Sequence, residues 1–161
     1  MEVPDSDPLL WFPEMLINIF TGQFSPGIIF SLLIILFLLL FSALISGSEI
    51  AFFSLNPNEL KDIETKTTNA NRFILKLLET PKRLLATILI SNNFVNVGIV
   101  MLSAYVSGSL FDFSQSPILG FTIEVIVITT LLLLFGEIMP KIIANNSPVV
   151  FASYMAQPLF F

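Results

Sequence analysis

Oxygen-bearing residues interrupt three long apolar segments of this sequence, and their chemistry is that of a binding site for a hard cation. Ser42 and Ser46 lie near the end of the first apolar segment, and Asn92 lies within the second. Gly136 and Glu137 come near the end of the third. Polar groups at membrane depth are costly unless they are paired, hydrated or bound to an ion. Because magnesium, calcium and manganese prefer oxygen ligands, we interpret the three clusters as one shared cation site.

The third cluster also offers a backbone oxygen. Pro140 has no N–H and therefore cannot bond to the carbonyl four residues earlier, which belongs to Gly136. An unsatisfied backbone oxygen at membrane depth is tolerated where it lines a water or ion site. The Gly136 carbonyl is thus a candidate ligand, with the Glu137 carboxylate in or beside the same shell. The alternative is a simple proline kink followed by a glutamate that reaches towards the membrane surface.

Each polar pair has an alternative explanation without a bound ion. Ser42 and Ser46 are four residues apart, where small side chains permit close helix packing and hydroxyls can bond to their own helix. Asn92 and Asn96 have the same spacing and can join helices by hydrogen bonds. Glu49 can face the same cavity or lie in solvent at the membrane surface. The cation site is the interpretation that covers all three clusters.

The composition indicates an all-α membrane protein. The chain has 161 residues, 55% of them hydrophobic and 12% charged, and its mean hydropathy is +0.88. A soluble domain usually carries about 25% charged residues. The sequence contains no cysteine and no histidine, which excludes thiolate and imidazole ligands and leaves no nucleophile–base pair for an enzyme. The net charge of -5 argues against a nucleic-acid partner.

Apolar length and helix-start signals predict the elements that position these residues. Membrane-spanning helices are expected over residues 26–50, 81–106 and 118–143. Asn56 and Glu59 resemble a capping box that begins a short helix, and residues 69–71 are expected to separate it from a second short helix. Pro148 is expected to begin a last apolar helix.

The distribution of basic residues predicts the orientation. Six of the seven Lys and Arg residues lie within residues 61–83, and residues 1–25 contain none. The positive-inside rule therefore places residues 51–80 and Lys141 in the cytoplasm and residues 1–25 outside. The clusters then lie in the inner half of the membrane, as a cavity entered from the cytoplasm. Glu124 is interpreted as a carboxylate at the outer end of span three.

Four motifs support a more specific interpretation. They are Ser42-x-x-x-Ser46-Gly47-Ser48-Glu49-x-Ala51, Asn58-Glu59-Leu60, Leu89-x-Ser91-Asn92-x-x-x-Asn96, and Phe135-Gly136-Glu137-Ile138-x-Pro140-Lys141. Over residues 28–161 this pattern resembles the DUF21-type transmembrane domain of the CNNM/CorC family. The resemblance implies three transmembrane helices with short cytoplasmic and juxtamembrane helices, a homodimer in a bacterial inner membrane, and magnesium transport by sodium-coupled export. It also implies metal-ligand roles for the residues of the three clusters, namely Ser42, Ser46, Asn92, Gly136 and Glu137.

The resemblance also bears on domain organisation. Family members usually continue into CBS modules and a small C-terminal domain, so residues 26–161 are expected to be a C-terminally truncated transmembrane domain behind the extracytoplasmic segment 1–25. The acidic, aromatic N-terminus resembles a gliding-motility-associated branch of the family. That branch suggests an alternative to transport: a structural or assembly subunit of an envelope complex that keeps an ion only to stay folded.

Overall fold

The computed structural model describes residues 25–66, 68–114 and 116–160, and every regular element within them is helical. Seven α-helices and one π-helical segment follow one another in this part of the chain. They are α1 (Pro26–Phe53), α2 (Pro57–Thr65), α3 (Asn69–Glu79), α4 (Pro81–Leu110), α5 (Pro117–Leu131), the π segment (Leu132–Ile138), α6 (Met139–Asn146) and α7 (Pro148–Phe160). The prediction for residues 1–25 falls almost wholly outside the described residues.

Three of these helical stretches are long and apolar enough to cross a membrane: α1, α4 and the continuous stretch from Pro117 to Asn146. The prediction of three spans is therefore confirmed, and the chain is a membrane protein. Each span is a few residues longer than predicted. Each also begins with proline in its first turn, where the missing N–H costs no helical hydrogen bond.

The two short helices form as predicted, but the break between them does not lie where it was expected. The capping box is confirmed, since the Asn56 side chain accepts from the Glu59 N–H and the Glu59 carboxylate accepts from the Asn56 N–H. The expected break at residues 69–71 is wrong: α3 begins at Asn69, with Thr68 as its N-cap. Asn71 instead holds the turn together, because its amide donates to the carbonyls of Ile63 (3.0 Å) and Lys66 (2.7 Å).

Helix α1 occupies the centre of the bundle. It packs against α4, the π segment, α6 and α7, and α7 also packs against α3. One contact shows how tight this packing is: a Cβ at Gly47 would lie 2.5 Å from the Phe151 ring of α7. The largest fully buried apolar side chains are Phe52 of α1, Ile74 of α3, and Ile88 and Ile99 of α4.

Span three is much less buried than the other two. Only 6% of its most apolar window is buried inside the protein, against 22% for spans one and two. Large side chains such as Ile118, Phe121 and Ile126 are exposed along α5. This face must be covered by lipid or by another protein surface, because water cannot cover it at membrane depth.

Candidate functional site

The centre of the candidate site is Ser42, which is fully buried in α1. Its Oγ lies 2.9 Å from Asn92 Oδ1 and 2.8 Å from Asn96 Oδ1, both on α4. A serine hydroxyl carries one proton and can donate fully to only one of these oxygens. Three oxygens therefore converge with a single proton between them, which makes the cluster rich in acceptors. Interhelical hydrogen bonding explains part of this arrangement, and an acceptor-rich cluster is also what a cation requires.

Ser46, one turn further along α1, is not explained by packing alone. It is 2% exposed, and its Oγ has no hydrogen-bond partner within the described residues. Two other buried serines of the same helix bond back to their own backbone: Ser31 to Gly27 O (2.9 Å) and Ser48 to Leu44 O (2.6 Å). Buried polar groups are nearly always satisfied. The unpartnered Ser46 oxygen is therefore the observation that best fits a ligand position.

Gly136 brings span three to the same point. It is buried, and a Cβ placed on it would lie 3.2 Å from Ser42 Oγ. The π segment can approach α1 this closely because residue 136 has no side chain. The predicted site residues Ser42, Asn92 and Gly136 are thus brought together from three different spans, and Ser46 lies one turn away.

The π-helical segment was not predicted, and it changes which backbone carbonyl loses its donor. The Met139 N–H donates to the carbonyl of Leu134, five residues earlier. In this register the backbone nitrogen of Pro140, which has no hydrogen to donate, pairs in position with the carbonyl of Phe135. In an α-helical register it would pair with the carbonyl of Gly136. In the structure the carbonyl that loses its donor to proline is therefore that of Phe135, and the expectation that Pro140 frees the Gly136 carbonyl holds only for an α-helical register. π-Bulges of this kind are frequent at functional sites, and a glycine four residues before a proline inside an apolar span is the sequence signal that accompanies this one.

Two carboxylates, those of Glu137 and Glu49, lie close in sequence to the residues of the site. Glu137 follows Gly136 directly and is half-buried. Glu49 Oε2 forms an ion pair with Lys141 Nζ at 2.9 Å, and both side chains are about one-third exposed (28% and 36%). The structure thus pairs Glu49 with Lys141, at the end of α1, rather than with the Ser42 cluster.

Glu124 lies at the opposite end of span three. It lines a separate cavity of about 380 Å³ with residues of α4 and of the connection to α5, among them Ser107, Gly108 and Phe113. This position agrees with the prediction that Glu124 is remote from the three clusters. It also makes Glu124 a suitable control residue for the site.

The fold and the site together define a helical membrane protein with a buried polar cluster between three spans. The sequence matches the profile of the CNNM family, described as the cyclin M transmembrane N-terminal domain, over residues 33–161. This match covers most of the chain, and the protein belongs to the CNNM family. The resemblance inferred from the four motifs is therefore confirmed.

Several known proteins are similar to this chain. The UPF0053 inner membrane protein YfjD of Escherichia coli is 33% identical over 121 residues, which is 73% of this chain and 27% of the relative. The polyamine export protein of Haemophilus influenzae is 32% identical over 130 residues (76% and 30%). The metal transporter cnnm-4 of Caenorhabditis elegans is 27% identical over 137 residues (82% and 28%). The chain thus spans less than a third of the length of these relatives.

Proposed function

We propose that this protein transports a divalent cation, magnesium, across a bacterial inner membrane, and that it exports the ion at the expense of a sodium gradient. The observation that carries the proposal is the acceptor-rich cluster around Ser42, with the unpartnered Ser46 oxygen one turn away. Membership of the CNNM family and similarity to a protein named as a metal transporter support it. The similarity to an inner membrane protein supports the location.

The donor set favours a small, hard cation. Within the described residues there is no group of three acidic side chains that could hold a metal, so the candidate ligands are mainly neutral oxygens with Glu137 beside them. Neutral ligands suit an ion that must leave again after it has bound. Magnesium gives up water reluctantly and usually keeps part of its hydration shell. We propose that Ser42, Ser46, Asn92 and the Gly136 carbonyl replace only part of that shell, and that a helix rearrangement then opens the site to the other side.

A polyamine is the competing substrate, because one relative is named as a polyamine export protein. A long polycation requires several acceptors spread along an elongated cavity. The cluster found here is compact, since Ser42 Oγ lies 2.9 Å from Asn92 Oδ1 and 2.8 Å from Asn96 Oδ1. The compact geometry therefore favours a metal ion. The alternative of a non-transporting envelope subunit gains no support from the relatives described above.

Calorimetric titration of the purified protein with magnesium, calcium, manganese and spermidine in turn tests the proposal. We expect saturable binding of magnesium and no saturable binding of spermidine. In proteoliposomes that contain the protein, magnesium efflux should increase when a sodium gradient is imposed. Saturable spermidine binding without any magnesium binding would contradict the proposal.

We propose that residues 51–80 are cytoplasmic and that the N-terminus is outside, from the concentration of basic residues in 61–83. These 161 residues contain no cysteine, so single cysteines introduced at Asp5 and at Lys66 can be labelled without background from this part of the protein. A membrane-impermeant maleimide added to intact cells should label the cysteine at position 5 and not the one at position 66. The reverse pattern would invert the proposed topology.

We also propose a homodimer with one cation site in each protomer, because the clusters of each site belong to one chain. The exposed apolar face of α5 gives a second copy a large surface to cover. Native mass spectrometry in mild detergent should show a dimer. A monomer at every detergent and protein concentration would argue against this assembly.

A further inference from the structure

A cavity of about 390 Å³ lies away from the cation site, where the end of α3, the beginning of α4 and the end of α7 meet. Its lining falls into two chemical halves. The polar half consists of two basic side chains and two hydroxyls, from Lys76, Arg83, Thr80 and Thr87. The apolar half consists of Leu77, Leu84, Leu159 and Phe160. The cavity is therefore amphiphilic, and it lies where a membrane-spanning helix begins.

The basic residues of this region are available to a ligand. Residues 69–83 contain four basic residues and one acidic residue, Glu79. Lys76 and Arg83 are exposed, and neither forms an ion pair with a carboxylate of the described residues. Lys76 Nζ lies 5.4 Å from the centre of the Phe160 ring, a contact that orients the side chain but supplies no negative charge. An anion bound here would supply the missing charge.

Helix α3 extends the same surface. Ile74 of α3 is fully buried, whereas Arg72 and Lys76 lie one turn apart on the exposed side and both line a second cavity, of about 410 Å³. A helix with one buried apolar face and basic residues on the other is typical of segments that lie in the membrane interface. The two cavities share Lys76, which places both beside the same row of positive charge.

We propose that this amphiphilic cavity binds the headgroup phosphate of an anionic phospholipid, in the leaflet next to the basic connection. Arg83 and Lys76 would pair with the phosphate, Thr80 and Thr87 would donate hydrogen bonds, and the apolar half would contact the upper part of an acyl chain. Basic residues near a membrane surface attract anionic lipids, and a guanidinium matches phosphate geometry well. A free phosphate ion has the same charge but gains nothing from the four apolar side chains. This lipid site is independent of the proposed cation transport.

Lipid binding to the whole 161-residue protein tests the proposal by native mass spectrometry of protein released from nanodiscs. The nanodiscs contain phosphatidylglycerol and phosphatidylethanolamine in equal amounts. We expect the protein to retain phosphatidylglycerol preferentially, and the double variant Lys76→Gln with Arg83→Gln to lose about tenfold or more of that preference. The matched control is Lys61→Gln with Lys66→Gln, which removes the same charge from the same connection but outside both cavities.

Each outcome of this experiment either supports or contradicts the proposed lipid site. A defined lipid site is supported if the first double variant loses the preference for phosphatidylglycerol. The control and a charge-preserving exchange (Lys76→Arg with Arg83→Lys) should then both keep that preference. Equal loss in both double variants would show a diffuse charge effect and would overturn the proposal. No lipid preference in the wild type would overturn it as well. Displacement of the lipid by millimolar inorganic phosphate would assign the site to a soluble anion and would also contradict it.

Discussion

Replacing Asn92 by alanine is expected to lower the affinity for magnesium about 10- to 100-fold, the range measured when groups at or next to a metal site are removed. Asn92 contributes one of the two amide oxygens that meet the Ser42 hydroxyl, at 2.9 Å. Its loss removes a candidate ligand and leaves Ser42 with Asn96 alone. Calorimetric titration with magnesium measures the effect directly.

The neighbouring Asn93 provides a matched control for this change. It is exposed on the same helix, so Asn93→Ala removes the same chemical group without touching the cluster and should leave the affinity near the wild-type value. Glu124→Gln, in the remote cavity at the other end of span three, should also change the affinity little.

Substitution of the other candidate ligands should also lower the affinity for magnesium, by different amounts. Glu137→Gln should weaken binding more than Ser46→Ala, because it removes a charge from an environment of low dielectric constant. The effects should not add, since ligands of one ion act as a unit. Wild-type affinity in both Asn92→Ala and Glu137→Gln would show that the polar clusters are packing features.

The parts of the structure that follow from local chemistry could be predicted from the sequence. Apolar length determines which helices can span a membrane, and Asn56 and Glu59 satisfy each other across three residues. The meeting of Ser42, Asn92 and Gly136 was predictable because polar groups at similar depth in three spans are stabilised when they face one another rather than lipid.

The parts that depend on register and on distant contacts could not be predicted. The π segment depends on how span three accommodates both Pro140 and the contact with α1, and hydrophobic periodicity does not report a single inserted residue. The break between α2 and α3 was misplaced because Asn71 bonds back to Ile63 and Lys66, whereas asparagine in a sequence more often marks a turn. The role of Asn96 depends on the side-chain direction of Ser42, which only the structure supplies.

Replacing Gly136 by alanine is expected to weaken magnesium binding strongly while the protein stays folded. The new methyl group would lie 3.2 Å from Ser42 Oγ and 3.8 Å from Ser42 Cβ. Ser42 cannot move away freely, because it is fully buried and hydrogen-bonded to two asparagines. The π segment must therefore shift away from α1 by a few tenths of an ångström, which moves the backbone oxygens of span three relative to the cluster. Affinity should fall about as far as in Asn92→Ala, roughly 10- to 100-fold.

The free energy of unfolding of Gly136→Ala is expected to change little. A loss of magnesium binding in this variant can therefore be distinguished from a loss of folding. Overpacking of this kind costs about 1–3 kcal/mol, whereas alanine is favoured over glycine in a helix by about 1 kcal/mol, so the two effects partly cancel. Gly98→Ala in α4 is the matched control, because the nearest atom to its new Cβ is Leu38 Cδ1 at an ordinary 3.6 Å. Thermal unfolding with and without magnesium measures both quantities. We expect Gly98→Ala to keep the stabilisation by magnesium and Gly136→Ala to lose it, while both variants remain folded without the ion. A Gly136→Ala protein that is still stabilised by magnesium would show that the contact between the π segment and Ser42 is not part of the cation site.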